Sequence, residues 1–312
     1  MVTNVTDLRA ARVRVPCSTS NLGSGYDTIG LALEKYLDAE FQPDDSGTLR
    51  VERSGTLARL DATNEDDLVA VALTKQLKRG RITASGTLRL HSEVPVARGL
   101  GTSASAKLAG FDLARAAMGE AQDNDLSFSA AFRDEGHGDN AAPSVFGGLR
   151  AVAKTADGPV VIGLTLSESV GFAYAAPAAG VSTKEARALL PKQVPHNLAA
   201  ATLGRIVALV RGLAEGNPDL IRIGTKDELH VPHRLSLIPS VLGAMSAGID
   251  AGAWAVTVSG AGSGLIAMCE PGDADGVAAA MHAIFDAGTG DPECVGFAVK
   301  PCAQGLQRIA PL

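Results

Sequence analysis

The chain has 312 residues, of which 46% are hydrophobic, enough to bury one large core or two smaller ones. Its 28 basic and 34 acidic residues are mixed along the chain and leave a net charge of −6, without the basic cluster or basic–aromatic interleaving that would point to nucleic acid. The four cysteines lack metal-ligand or redox spacing, Met1-Val2-Thr3-Asn4 carries no apolar signal region, and no uncharged apolar run of about 18 residues offers a membrane span. These absences lead us to expect a reduced, cytoplasmic globular protein.

In chain order, the pattern predicts strands over Arg12–Val15, Asp27–Leu33, Leu37–Phe41 and, more weakly, Leu49–Glu52. Asp66–Leu77 reads as a helix with Val69, Ala72, Leu73 and Leu77 on one face, and Thr87–His91 alternates as a strand. Helices are expected over Ser103–Met118 and Leu126–Arg133, a short helix or turn at Asn140–Pro143, and a strand at Leu149–Val152. The turn residues Asp157-Gly158-Pro159 suggest a boundary, giving domains 1–157 and 158–312. Beyond it, strands are expected at Val160–Leu164, Val170–Ala175, Ala253–Val258 and Leu265–Cys269. Helices are expected at Lys184–Leu190, Asn197–Leu213, Ile238–Ala247 and Ala274–Ala287. Helices and strands therefore alternate throughout, the pattern of a mixed α and β fold.

The segment Pro95 to Ala106 carries the strongest chemical signal. Gly99 and Gly101 permit tight backbone turns between an apolar strand and a helix, and Thr102, Ser103 and Ser105 add hydroxyls. Unpaired N–H groups at a helix start attract anions, so the segment reads as a phosphate cradle. No Gly-Lys-Ser/Thr follows, which excludes a Walker A loop. A nucleoside triphosphate requires Mg²⁺, and Ser103 and Glu135 offer a hydroxyl and a carboxylate for it. Composition alone also allows the Glu135–Asn140 stretch to be a solvated loop.

Two further glycine segments stand out, Ser20–Asp27 and Ser259–Gly264. A dinucleotide fingerprint at Ser259-Gly260-Ala261-Gly262 is disfavoured by the spacing of the third glycine and by the lack of an acidic residue about 20 positions on. A turn between buried strands, packed against another loop, fits better. Arg187 and Arg234 present forks that match a carboxylate bidentately, although an exposed arginine is more often a solvated charge.

Together these segments resemble the motifs of the GHMP small-molecule kinases. The likeness covers Val15–Leu33, Pro95–Ala106, Glu135–Pro143, Ser182–Pro191, Asp227–Pro239 and Val256–Gly264, in the family's order along nearly the whole chain. The resemblance implies an α+β fold, with an N-terminal domain like ribosomal protein S5 and a ferredoxin-like C-terminal domain flanking the active site. It implies ATP binding by Pro95, Arg98, Gly99, Leu100, Gly101, Thr102, Ser103, Ala104 and Ser105, with Ser103 and Glu135 on Mg²⁺. Asn21, Asp27, His137 and Asn140 would line a pocket for L-homoserine, whose hydroxyl accepts the phosphoryl group, and Asp27 suits the ammonium. Arg187 and Arg234 would take the carboxylate, with Thr183 nearby, and Gly260, Ala261 and Gly262 would support the phosphate loop. Family members are often homodimers.

The sequence departs from the family pattern at five places. Ser24, Gly138 and Ser263 stand where proline is usual, Tyr26 where phenylalanine is usual, and Thr102 where serine is usual. Asn140 also stands where other members of the superfamily carry an aspartate base, and an amide takes no proton. The readings left open are another small amino or hydroxy acid as acceptor, and a nucleotide-binding homologue without catalysis.

Overall fold

The computed structural model describes residues 8–63, 65–289 and 293–311, so the Met1–Asn4 start lies outside the described residues. A first sheet is built around two long strands, β1 (Ala11–Asn21) and β2 (Gly25–Pro43). Ala11, Val13 and Val15 alternate inward along β1, as a strand with one buried face requires. β2 is continuous where the sequence suggested two strands. Its register against β1 shifts between Pro16 and Cys17, which leaves Glu34 to pair instead with the chain at Lys300.

The sheet extends through β4 (Gly86–Ser92) to β3 (Leu49–Gly55), whose pairing is parallel. α1 (Leu68–Arg79) connects them, starting where Asp67 accepts hydrogen bonds from the Val69 and Ala70 amides. α2 (Thr102–Ala117), α3 (Asn124–Glu135) and α4 (Ala141–Phe146) pack with α1 on one face of this sheet, around Leu73, Leu108, Leu113 and Phe128. β5 (Leu149–Thr155) pairs with the first half of β2, and β6 (Gly158–Leu164) pairs with β5.

The second sheet holds β7 (Gly171–Ala176), followed in the chain by α5 (Thr183–Ala188), α6 (His196–Glu215), α7 (Pro218–Thr225), α8 (Val231–Arg234) and α9 (Val241–Asp250). β8 (Ala255–Val258), β9 (Leu265–Cys269), α10 (Ala274–Thr289), β10 (Val295–Val299) and β11 (Gln307–Ile309) complete the chain. The order β10-β7-β9-β8 is antiparallel throughout. Ala173 and Ala175 face α9 and α10 on one side, while Phe172 and Tyr174 face β2, β5, α6 and α7 on the other.

Two further features correct the sequence reading. The division expected after residue 157 falls at the turn of the β5–β6 hairpin, and β11 adds to β1, so both 158–164 and 307–309 belong to the first sheet. The helix expected from Ile238 starts only at Val241, after Pro239 and a left-handed Ser240 with φ of 55°. Among the described residues, α6 is the one helix long and apolar enough to cross a membrane, with Arg205 and Arg211 inside it. Its Leu203 and Val207 are 68% and 67% exposed.

Leu73 on α1 is fully buried in the first sheet's core, where α1 packs against the middle of α2, the helix whose start carries the cradle. Leu73→Ala is expected to lower unfolding free energy by about 2–5 kcal/mol in a denaturant titration, through lost burial and the cavity left behind.

Candidate active site

A cleft of about 770 Å³ runs between the two sheets. Its floor is the start of α2. Gly99 has φ of 80° and lies so close to the second sheet's loop that a Cβ there would sit 2.0 Å from the Ser259 carbonyl oxygen. Gly101, with φ of 63°, leaves no room for a Cβ beside Ser18 Oγ and Asn140 Oδ1. Ser259 Oγ donates to the Gly99 carbonyl at 2.7 Å, and the Gly264 amide donates to the Arg98 carbonyl at 3.2 Å. The Gly260–Gly262 loop thus packs directly against the cradle and also lines the cleft.

Not every cradle residue faces the opening. Gly99, Gly101, Thr102, Ser103, Ala104 and Ser105 line the cleft; Pro95, Arg98 and Leu100 do not. Leu100 is buried in the core between the sheets. The Arg98 guanidinium is turned to Glu293, donating to its carbonyl oxygen at 2.7 Å. The Ser105 hydroxyl is buried and donates to the Pro16 and Gly101 carbonyls, so it supports the turn and its hydrogen is not offered to the cleft.

Ser103 Oγ donates to Glu135 Oε1 at 3.0 Å, from the first turn of α2 to the last residue of α3. Oxygens about 3.0 Å apart have the spacing of neighbouring ligands on an octahedral ion with bonds of about 2.1 Å, so this donor set fits a small hard cation. An apolar wall of Leu57, Leu60, Leu68, Val69, Leu90 and Val94 continues the cleft beyond the cradle. Sequence reasoning missed this wall: Val69 and Leu90 read as parts of a helix and a strand, and Leu57, Leu60, Leu68 and Val94 were not singled out.

The polar end depends on strand alternation. Ser18 and Ser20 on β1 turn toward the α4 loop, and Thr19 and Asn21 toward the Ser259–Gly260 loop. Asn140 donates from Nδ2 to Ser20 Oγ at 3.0 Å and accepts at Oδ1 from Ser18 Oγ at 3.1 Å. Its amide is thereby fixed in orientation. Thr19 Oγ1 and Ser259 Oγ are 2.9 Å apart, and Asn21 Nδ2 donates to the Gly260 carbonyl at 2.8 Å. Asn21 Oδ1 in turn accepts from the Asp27 amide at 2.9 Å, holding the turn that aims Asp27. Ser20 opened the glycine segment Ser20–Asp27, but Ser18 was not singled out, because the predicted strand stopped at Val15 whereas β1 runs on to Asn21.

Asp27 and Arg187, expected to receive opposite ends of one ligand, bind each other. Arg187 donates from Nη2 to Asp27 Oδ1 at 2.6 Å and from Nη1 to Oδ2 and to the Tyr26 hydroxyl, both at 3.0 Å. Burial acts to lower the Arg187 pKa, but the hydrogen bonds and charge of Asp27 outweigh it and leave the pKa raised. Thr183, on the same short helix, lines the cleft.

Arg234 is only 2% exposed and donates from Nη1 to the Gly260 carbonyl at 2.7 Å and to His230 Nδ1 at 3.1 Å. Because an arginine only donates, His230 Nδ1 is the acceptor and its Nε2–H donates to the Gly23 carbonyl at 3.0 Å. Burial lowers the His230 pKa, consistent with this neutral tautomer. Burial likewise draws the Arg234 pKa down, and its Nε, buried without a hydrogen-bond partner, is a donor in search of an acceptor. The Tyr26 ring lies under both guanidiniums, 5.8 Å from Arg187 and 5.5 Å from Arg234. Tyr26 and His230 are site residues that the motif reading did not select.

His137 Nδ1 lies 2.5 Å from Asp139 Oδ1, and both donate ligand atoms within 4.8 Å of Asp27. Burial favours neutral His137, yet the hydrogen bond and charge of Asp139 prevail and raise its pKa. Burial also opposes the Asp139 charge, but His137 and the Ser20 hydroxyl overcome it and hold the carboxyl below its ordinary value. The raised His137 stabilises the fold below its unfolded pKa and loses that contribution as pH rises through the folded one. Asp139 contributes above its unfolded pKa and loses it as pH falls through the folded one. The pair therefore stabilises most in the mildly acidic window between the two ordinary values. In Asp139→Asn, burial acts on His137 with its main opposition gone, and histidine NMR titration is expected to show its pKa falling.

Comparison with known proteins gives a consistent pattern. Residues 67–148 match the family model described as GHMP kinases N terminal domain, and residues 206–287 match GHMP kinases C terminal. The chain is 35% identical over 271 residues to a homoserine kinase of Microchaete diplosiphon, covering 86% of this chain and 88% of that protein. It is 36% identical over 272 residues to a homoserine kinase of Thermus thermophilus, covering 87% and 91%. The crystal structure of homoserine kinase from Cytophaga hutchinsonii superposes with a TM-score of 0.82 at 26% identity, covering 96% of this chain and 97% of that one. Mevalonate kinase from L. major, in complex with R-mevalonate, shares the fold at a TM-score of 0.69 and 15% identity, over 96% and 99%.

Proposed function

The chain belongs to the GHMP kinases, and from that membership and the site we propose that it transfers the γ-phosphoryl group of ATP to the side-chain hydroxyl of L-homoserine, giving O-phospho-L-homoserine. The carrying observation is a single cleft that joins an anion cradle, with the Ser103–Glu135 oxygens, to a pocket holding both signs of charge in Asp27, Arg187 and Arg234. A sugar acceptor has no use for two guanidiniums beside a carboxylate; a zwitterionic amino acid does.

In this reading the amides at the start of α2 and the hydroxyls of Thr102 and Ser103 bind the phosphates, and the apolar wall from Leu57 to Val94 takes the base. Ser103 and Glu135 would hold Mg²⁺, whose preference for hard oxygen donors they meet, and it would supply positive charge to offset that of the nucleotide phosphates. Arg234, with its free Nε, receives the substrate carboxylate together with Arg187, and Asp27 receives the ammonium. The zwitterion thus exchanges its two charges for those of the Asp27–Arg187 pair, so each residue trades one partner for another and neither is left bare.

Asn140, pinned by Ser18 and Ser20, orients the acceptor hydroxyl and takes no proton. The bond from the γ-phosphorus to the β–γ bridging oxygen breaks as the hydroxyl oxygen bonds to phosphorus, and the hydroxyl proton leaves on the transferred phosphoryl group. A loose transition state demands little deprotonation beforehand, so positioning and charge carry the catalysis. We further propose a homodimer, with the exposed apolar side of α6 at Leu203 and Val207 as the contact.

ADP release should be measured with Mg²⁺-ATP against L-homoserine, L-threonine, L-serine, mevalonate and galactose. Strong preference for homoserine is expected; preference for another acceptor reassigns the pocket, and Mg²⁺-independent ATP binding without turnover points to a binding protein. Arg234→Leu is expected to raise the KM for homoserine by about tenfold or more, the scale of losing a charge-assisted hydrogen bond, with ATP binding nearly unchanged. Equal loss for both substrates removes Arg234 from the acceptor pocket.

A further inference from the structure

Lys107 belongs to none of the roles above. It lies one turn after Ser103 on α2, so the two side chains rise from the same face and lean toward the cradle. Its Nζ donates to Glu135 Oε1 at 2.9 Å, the same oxygen that accepts from Ser103 Oγ at 3.0 Å. The Glu135 side chain is 10% exposed and that of Lys107 26%. A largely buried carboxylate is therefore already neutralised by an ammonium at the atom where a metal would be held.

The surroundings reinforce that pairing. Behind Lys107 a shallow groove is lined by Lys75, Arg79, Arg133 and Asp134, and Asp134 is bound by Lys75 at 3.0 Å. Swinging away from Glu135 brings Lys107 toward like charges and a carboxylate already paired. Remaining beside Glu135 places it a few ångströms from any divalent ion on the same carboxylate.

We propose that Lys107 is a built-in competing cation that sets the metal requirement of the site: it holds Glu135 aimed at Ser103 when no metal is bound, and metal binding proceeds against its charge. The proposal rests on the assignment of Ser103 and Glu135 as metal ligands. The chain carries its own occupant of the metal position, and the divalent ion wins only when it arrives with the negative charge of the nucleotide phosphates.

The test is a Mn²⁺ titration, followed by electron paramagnetic resonance, of the full chain with a non-hydrolysable ATP analogue. K107M is expected to bind Mn²⁺ about tenfold more tightly than the parent, the scale of removing one like charge near a divalent ion under water-like screening. K107R, which keeps the charge, is expected to match the parent, and K107Q repeats the test with a polar side chain should Met perturb folding. Unchanged or weaker Mn²⁺ affinity in K107M and K107Q overturns the proposal and makes Lys107 a simple support for Glu135. E135Q separates the two levels. Its expected result is sharply weakened Mn²⁺ binding; if affinity is unaltered, the ligand assignment itself fails and the role of Lys107 falls with it.

Discussion

The site depends on one steric constraint, the approach of the backbone at 98–101 to the backbone at 259–264. No side chain fits between Gly99 and the Ser259 carbonyl, and the hydrogen bonds from Ser259 and Gly264 fix the gap. The first strand of the chain is tied into the same junction, because Thr19 meets Ser259 and the Gly260 amide donates to the Ser20 carbonyl. An anion cradle on one sheet is thereby held rigid by a loop of the other. Preorganisation of this kind matters where phosphoryl transfer gives the protein little covalent work to do.

Several buried or half-buried charges of the fold are met by a charge of opposite sign. Asp27 is met by Arg187, Asp139 by His137, Asp112 by Arg308, and Glu135 by Lys107. Arg234 is the exception in kind, since its contacts are a carbonyl and a neutral imidazole ring, with no carboxylate bound to it. A buried charge without a counter-ion is costly, so a guanidinium only 2% exposed and held by a carbonyl and a neutral ring marks where an anion belongs. The neutral state of His230 follows first from its burial, and the Arg234 charge at hydrogen-bond distance acts in the same direction.

Much of this was legible in the sequence. The cradle, the glycine loop packed against it and the alternation of helices and strands follow from local rules of glycine, helix starts and apolar periodicity. The membership in the GHMP kinases rests on the order of motifs along the chain, which the comparisons show independently. What local patterns did not carry was pairing over distance. Nothing in the spacing of Asp27 and Arg187 indicates that 160 positions apart they bind each other. The family resemblance implied an ATP-binding role for Arg98, and only the fold places Glu293 within its reach. The expected boundary after residue 157 failed for a related reason, since Asp-Gly-Pro punctuates a hairpin as well as it does a linker.

The return of the chain to its beginning has a further consequence. The Cys302 amide donates to the Ala32 carbonyl, Gly148 donates to the Cys302 carbonyl, and Gln307 to Ile309 close the sheet against Arg12 to Arg14. The first sheet is thus complete only when residues almost 300 positions apart have met. A ribosome making this chain exposes the Arg12–Arg14 edge of β1 until residues 307–309 have emerged. Sequence-distant closure of this kind slows folding and lengthens the time during which a bare strand edge is open to other chains. The late pairing of β11 therefore leaves the edge of β1 at Arg12–Arg14 open for most of the time the chain takes to be made.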